Sequence, residues 1–145
     1  MKVQEQDIYH GAALSQIVRH QSFKALNSGS SKQGHYLINS DRHVLVKYRT
    51  NSGPTWQFTF KPDEVAAIKK MAKKSQSVFL CLVCGQDTLC ALNFDEIKIL
   101  LSGTSDEQQS ITIEAPASKS LRVRGSNGDL PRTVAHNAFP QKLFE

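Results

Sequence analysis

The chain has 145 residues, 39% hydrophobic and 21% charged, which is a globular composition and argues against wholesale disorder. Its 18 lysines and arginines exceed its 13 acidic residues, so the net charge is +5 and anionic partners such as nucleic acid are favoured. No apolar run approaches the roughly 18 residues of a membrane span, and the N-terminus carries no signal core. We therefore expect one cytoplasmic domain over residues 1–145, with no membrane contact.

The chain begins with a predicted helix. Residues 8–20 place Leu14, Ile17 and Val18 at helical spacing, and Asp7 is a suitable cap. An amphipathic N-terminal helix is the expected result.

Three predicted strands follow a turn and a loop. Residues 21–27 predict a short turn that buries Leu26, and residues 28–34 have the composition of a loop. Period-two alternation then predicts the strands, at residues 36–39, 44–50 and 55–60. Because the intervening turns are short, we expect an antiparallel three-strand meander.

The second half of the chain alternates helices and strands. A helix that opens at Pro62 has an apolar stripe of Val65, Ile68, Met71 and Ala72. Residues 78–84 are apolar on both faces, which places that strand in the middle of a sheet. The remaining predicted elements are a strand at 88–93, a short helix at 96–101 capped by Asp95, strands at 110–114 and 120–125, and a docking tail at 134–144.

This order predicts an α+β fold with a mixed sheet, and its first part is similar to the core of the restriction-endonuclease-like fold. The resemblance implies an acidic residue on the second strand and an acid-x-Lys triplet on the third, which together hold a metal ion. Leu45 stands two positions before Lys47, and the third strand has no carboxylate. The one acid-x-Lys string, at residues 96–98, lies on a predicted helix. We expect a domain without catalytic residues, metal or cofactor.

Two chemical alternatives remain open. A divergent Mg²⁺-dependent nuclease would combine Lys47 with carboxylates from other segments, namely Glu5 or Asp7 together with Asp41. A zinc site would combine Cys81, Cys84 and Cys90 with His35 or His43. Strand positions three apart point to opposite faces, so we expect buried thiols instead. The histidines form no pair at ligand spacing, and each is expected at the surface or at a helix end.

Nucleic-acid binding is the function that the charge pattern favours. Residues 42–74 contain eight lysines and arginines and two acids. Phosphate contacts require exposed cations, and single strands also use aromatic platforms. Trp56 shares a strand face with Phe58 and Phe60, so we expect it in the core. The predicted contact residues for DNA or RNA are Arg42, Lys47, Arg49, Lys61, Lys69, Lys70, Lys73, Lys74, Arg122 and Arg124.

The other functional alternative is a non-enzymatic protein-protein interaction module or a homodimer. It would use a sheet edge or the acidic segment near Asp106 and Glu107.

Several segments resemble a family of small uncharacterised bacterial proteins, and they extend over nearly the whole chain. They are Gly11-Ala12-Ala13-Leu14-Ser15-Gln16-Ile17, Phe23-Lys24-Ala25-Leu26-Asn27, Val46-Lys47-Tyr48, Gln57-Phe58-Thr59-Phe60, Val78-Phe79-Leu80-Cys81-Leu82-Val83-Cys84 and Asn137-Ala138-Phe139-Pro140. The resemblance implies a bacterial cytoplasmic origin and carries no activity.

Overall fold

A computed structural model describes residues 1–29, 34–74, 77–104, 106–116 and 120–145. Within these residues three α-helices are formed: α1 (Glu5–Val18), α2 (Pro62–Lys74) and α3 (Phe94–Leu100). The strands are β1 (Leu26–Ser28), β2 (His35–Ile38), β3 (Arg42–Arg49), β4 (Thr55–Phe60), β5 (Val78–Cys84), β6 (Thr88–Asn93), β7 (Gln109–Glu114), β8 (Ser120–Gly125) and β9 (Val134–Ala135). The predicted α+β class is confirmed.

The first sheet has five strands in the order β1-β2-β3-β5-β6. Its strands are antiparallel except for β3 and β5, which run parallel. The sheet is therefore mixed, as predicted. A parallel pair needs a long crossover connection, and here the crossover contains β4 and α2.

The predicted meander is wrong in its composition, because β4 belongs to a second sheet. That sheet has the order β4-β7-β8-β9, and β4 pairs antiparallel with β7. The three-strand antiparallel meander of the first sheet consists of β1, β2 and β3 instead. The physical reason lies in β5, which is buried along its whole length and needs an interior position. With β2 on one edge of β3 and β5 on the other, no edge of β3 is left for β4.

The alternation of β5 builds two apolar cores, one on each face of the first sheet. Leu80 and Leu82 point into the inter-sheet core, which lies against the second sheet, α2 and α3. Cys81 and Val83 point into the α1-side core, which lies against α1 and the C-terminal tail. A strand apolar on both faces thus acts as the shared wall of both cores.

Helix α1 begins earlier than predicted and buries a different stripe. Its N-cap is Gln4, and the Asp7 carboxylate accepts a hydrogen bond from the Gln4 backbone N–H at 2.9 Å. Ala13 and Ile17 are fully buried, whereas Val18, predicted in the apolar stripe, is 42% exposed. This leaves apolar side chains on the solvent side of α1.

The other helices follow the sequence pattern more closely. In α2, Val65 and Ile68 are buried and Met71 and Ala72 are partly buried, so the predicted stripe is confirmed. Helix α3 is capped by Asn93 and not by the predicted Asp95. The Asn93 side chain accepts a hydrogen bond from the backbone N–H of Glu96. Within the ranges given above, no helix is long and apolar enough to cross a membrane.

The segment before β2 differs from the prediction, whereas the C-terminal tail agrees with it. The predicted turn over residues 21–27 is replaced at its end by β1, and Leu26 is 37% exposed where burial was predicted. The predicted docking of the tail is confirmed. Phe139 and Leu143 are buried in the α1-side core, with Phe144 packed against it.

Candidate nucleic-acid interface

Four of the predicted contact residues share one exposed face of α2. At about 100° per residue, Lys69, Lys70, Lys73 and Lys74 fall within an arc of about 140°. All four are exposed, and the buried residue Ile68 projects from the other side of the helix. We call these four residues the α2 lysine face.

The local sequence explains why this helix forms with lysines at one end. Pro62 occupies the first helical position, where no backbone N–H is needed. Asp63 lies in the first turn and Lys73 and Lys74 in the last, so both ends complement the helix dipole. The lysines therefore stabilise α2 whether or not they also meet a ligand.

Lys47 faces inward, toward α2, and is held by protein groups. Its Nζ donates to Glu64 Oε2 at 2.7 Å and to the Thr59 carbonyl oxygen at 2.5 Å. It also lies 4.3 Å from the centroid of the Phe60 ring. The predicted exposed basic face of β3 is wrong at this position, because α2 and the end of β4 cover it. The ion pair also neutralises Glu64, one of the two acids on α2.

Arg42 and Arg124 are also paired with carboxylates. Arg42 Nη1 lies 2.6 Å from Asp41 Oδ1, and its guanidinium lies over the Phe144 ring at 5.8 Å. Arg124 pairs with Glu114 across β8 and β7. Three of the ten predicted contact residues are thus engaged within the protein.

The other predicted residues do not form one cluster with the α2 lysine face. Arg42 and Arg49 occupy opposite ends of β3, about 23 Å apart along an extended strand. Arg122 is exposed on the outer side of the second sheet, and Lys61 directly precedes α2. In the part of the chain that the structure describes, no ion pair is formed by Arg49, Lys61 or Arg122, and none by the four lysines. Of the predicted contact residues that the structure describes, the four lysines of the α2 lysine face are the ones without an ion pair that share one helix.

The residues of the nuclease alternative are separated by the first sheet. Lys47 lies on the inter-sheet side, whereas Glu5 accepts a hydrogen bond from Tyr48, which packs on the α1 side. Asp41 directly precedes β3 and is six residues from Lys47, which is about 20 Å for an extended chain. Among the described residues, no group of three or more His, Cys, Asp and Glu side chains could hold a metal ion.

Glu96 and Lys98, the ends of the acid-x-Lys string, form contacts within the protein. The Glu96 carboxylate accepts from the Asn93 backbone N–H as part of the α3 cap and lies 2.6 Å from Lys142 Nζ. Lys98 pairs with Asp95 at 3.3 Å on the same short helix. These groups hold α3 and the tail in place.

The three cysteines are free and buried, as predicted. Cys81 belongs to the α1-side core and Cys84 and Cys90 to the inter-sheet core, so the predicted opposite orientation is confirmed. Burial raises the pKa of all three thiols, that of Cys90 to about 12. Protonated, enclosed thiols are poor nucleophiles and poor metal ligands.

Two histidine contacts were missed by the sequence interpretation. His35 Nε2 and His43 Nδ1 lie 3.0 Å apart, and His10 Nδ1 lies 3.2 Å from the Tyr36 hydroxyl. His35 and His10 are buried, not at the surface as expected. Burial lowers the pKa of both, and the neighbouring His43 lowers that of His35 further. The antiparallel pairing of β2 with β3 was predicted, but not the register that brings the two histidines together.

The aromatic side chains of β4 are part of the core. Trp56, Phe58 and Phe60 are each 1% exposed, which confirms the predicted burial of Trp56. Tyr48 stacks on Tyr9 with ring centroids 4.9 Å apart. None of these rings is positioned as an open stacking platform for a base.

Comparison of the chain with protein-family models, with curated proteins and with solved structures finds no match. The resemblances to the bacterial family and to the restriction-endonuclease-like core therefore stay predictions.

Proposed function

We propose that this chain is a non-enzymatic domain that binds nucleic acid through the α2 lysine face. The observation that carries the proposal is the concentration of four exposed lysines on one side of one helix, without a carboxylate partner among the described residues. Polyanions are bound chiefly by such clusters, since each neutralised phosphate releases counterions.

The ion pair between Lys47 and Glu64 supports this assignment. Glu64 would otherwise offer a carboxylate on the same helix as the lysines, and Lys47 compensates its charge at 2.7 Å. Asp63 is then the one acid of α2 without an ion pair in the described chain. It falls within the same arc as the lysines but lies in the first turn, about 9 Å along the axis from Lys69.

The spacing of the lysines suits a phosphate backbone. Lys69 and Lys73 are one helical turn apart, as are Lys70 and Lys74, so each pair spans about 6 Å along the axis. Successive phosphates of one strand of a duplex advance about 3.4 Å along its axis, so each lysine pair spans about two phosphate steps. Because no aromatic platform accompanies the lysines among the described residues, binding should depend on the backbone and not on base sequence.

The test is binding of a fluorescent mixed-sequence duplex and a single strand, followed by anisotropy at low salt. The variant Lys69→Ala/Lys70→Ala/Lys73→Ala/Lys74→Ala should lose at least roughly tenfold in affinity. Its matched control, Lys2→Ala/Lys24→Ala/Lys98→Ala/Arg132→Ala, removes the same charge from other exposed positions and should retain most of the affinity. Circular dichroism checks that both variants stay folded.

Two results would overturn the proposal. One is the absence of binding by the wild-type chain at micromolar protein in low salt. The other is an equal loss of affinity in both quadruple variants, which would indicate a response to net charge and not to this surface.

A further inference from the structure

One lysine of the α2 lysine face lies against a second segment of the chain. The side chain of Lys69 runs over Gly103, in the turn that follows α3. A Cβ built at Gly103 would overlap three consecutive atoms of this lysine, Cδ, Cε and Nζ. Any other residue at position 103 would therefore require the lysine side chain to move. The contact joins α2 to a part of the chain that is thirty-four residues away in sequence.

The turn that contains Gly103 is fixed by a buried side chain of the second sheet. Gln109 is 4% exposed, its Oε1 accepts from the Ser102 backbone N–H at 2.7 Å, and its Nε2 donates to the Ser102 carbonyl oxygen at 2.6 Å. Gln109 is the register partner of Phe60, the last residue of β4, and α2 begins two residues after Phe60. The turn and the helix are thus both anchored at the same end of β4, which fixes Gly103 relative to α2.

The ammonium group of Lys69 stays available to a ligand although its stem is in contact. The side chain is exposed, and Nζ forms no hydrogen bond or ion pair within the described residues. Asp106 and Glu107, which follow the turn, do not pair with it. A long cationic side chain can cover a neighbouring surface with its methylene groups while its charged end stays in water. Lys69 therefore combines a restricted stem with unused hydrogen-bond donors.

We propose that Gly103 positions Lys69 as the principal phosphate contact of the α2 lysine face. A lysine side chain that is ordered by a ligand loses conformational entropy, which weakens binding. Lys69 has lost part of this freedom already, through its contact with Gly103, so a phosphate group bound by it meets a smaller entropic cost. The inference rests on the proposed function, because it concerns the same surface and the same ligand, the phosphate backbone of nucleic acid.

The first test changes the position of Lys69 without changing the charge of the protein. Gly103→Ala keeps all four lysines, and its added Cβ displaces only the flexible end of the Lys69 side chain. Gly103 has no positive φ, so alanine suits its backbone. Duplex affinity, measured by anisotropy at low salt, should fall roughly threefold. Gly11→Ala, whose added Cβ meets no atom within 4 Å, is the matched control and should bind as the wild type does.

A double-mutant cycle shows whether the glycine acts through the lysine. Lys69→Ala and Lys70→Ala remove the same charge from neighbouring exposed positions, and Lys69→Ala should lower the duplex affinity roughly threefold more. When Lys69→Ala is already present, Gly103→Ala should have no further effect on affinity, since the side chain that it displaces is gone. Urea denaturation of each variant checks that the free energy of unfolding is retained, because a loss of fold would lower affinity at every position alike.

Three results would overturn the inference and leave the proposed function standing. They are wild-type affinity in Gly103→Ala, equal losses in Lys69→Ala and Lys70→Ala, and an effect of Gly103→Ala that persists in the Lys69→Ala background. In each case the variant that lacks all four lysines would still lose its affinity for the duplex. A wild-type chain that binds no nucleic acid would instead overturn the proposed function, and this inference with it.

Discussion

Lys47 and Glu64 form an ion pair that ties β3 to the first turn of α2, with Nζ 2.7 Å from Oε2. The two side chains are 26% and 35% exposed, so the pair is partly shielded from water. It fixes α2, which belongs to the crossover between β3 and β5, and leaves the positive charge of α2 at the helix end that carries the four lysines.

This relationship predicts that Lys47 contributes to stability and not to ligand binding. Lys47→Ala removes a partly exposed ion pair and a contact with the Phe60 ring, so we expect a loss of about 1–2 kcal/mol in the free energy of unfolding. Urea denaturation measures this loss. Duplex affinity in the same variant should change less than about twofold. A large loss of affinity with unchanged stability would instead place Lys47 in the interface.

Salt dependence gives the number of phosphates that the α2 lysine face contacts. Four contacts predict a slope of about −3.6 for log affinity against log salt with a duplex, and about −2.8 with a single strand. Affinity for a duplex should then fall roughly 100-fold between about 50 mM and about 200 mM salt. Anisotropy titrations at several salt concentrations measure the slope. A slope near zero would show that phosphate contacts are not the source of binding.

Acid should destabilise the fold through its buried histidines. Desolvation lowers the pKa of His10 and His35 below the ordinary 6.5, although Asp7 partly offsets the effect at His10. Below that value the unfolded chain binds protons that the folded chain does not. The stability that these groups supply is therefore present above about pH 6.5 and is lost as the pH falls toward their lowered pKa values.

The measurement is urea denaturation across this pH window. His10→Gln/His35→Gln should reduce the dependence on pH, whereas His136→Gln, a change at an exposed position, should leave it as in the wild type. If the double variant kept the full dependence, other groups would be responsible.

Two glycine substitutions should act in opposite directions. Gly11→Ala fills open space in an exposed helix, so the monomer should gain about 0.5–1 kcal/mol. Gly85 has φ +57°, and its added Cβ would lie 2.7 Å from the Asn51 carbonyl oxygen, so Gly85→Ala should cost at least about 1–2 kcal/mol. Thermal denaturation of dilute protein measures both. A destabilising Gly11→Ala would mean that the outward side of α1 is covered even in the monomer.

The cysteines should be inert in the folded protein. Cys81, Cys84 and Cys90 are enclosed in the cores, where desolvation raises the pKa of each thiol. A thiol reagent at pH 8 should modify none of them until the chain opens and all three after denaturation. Counting modified thiols by mass spectrometry decides the matter. Rapid labelling of one cysteine in the native state would contradict the burial of that residue.

The local pattern of the sequence predicted most elements and their buried faces. The alternation of β4 identified Trp56 as a core residue, and the continuous apolar run of β5 placed it inside a sheet. The helical spacing of α2 separated its lysines from its apolar stripe. These features follow from side-chain periodicity, which is set within a few residues and so can be read without knowledge of the rest of the chain.

Tertiary structure alone decided which sheet β4 joins and which charges remain free. Strand β3 pairs with β2 on one side and with the distant β5 on the other. Local sequence patterns do not show which strands will pair. Lys47 and Glu64 lie seventeen positions apart, and Glu114 meets Arg124 across two strands. Such pairs depend on strand register and on helix placement, because these bring together groups that the sequence keeps apart. The sequence by itself therefore determined most of the secondary structure and the net charge, whereas the folded chain decided which of the predicted cations stay unpaired.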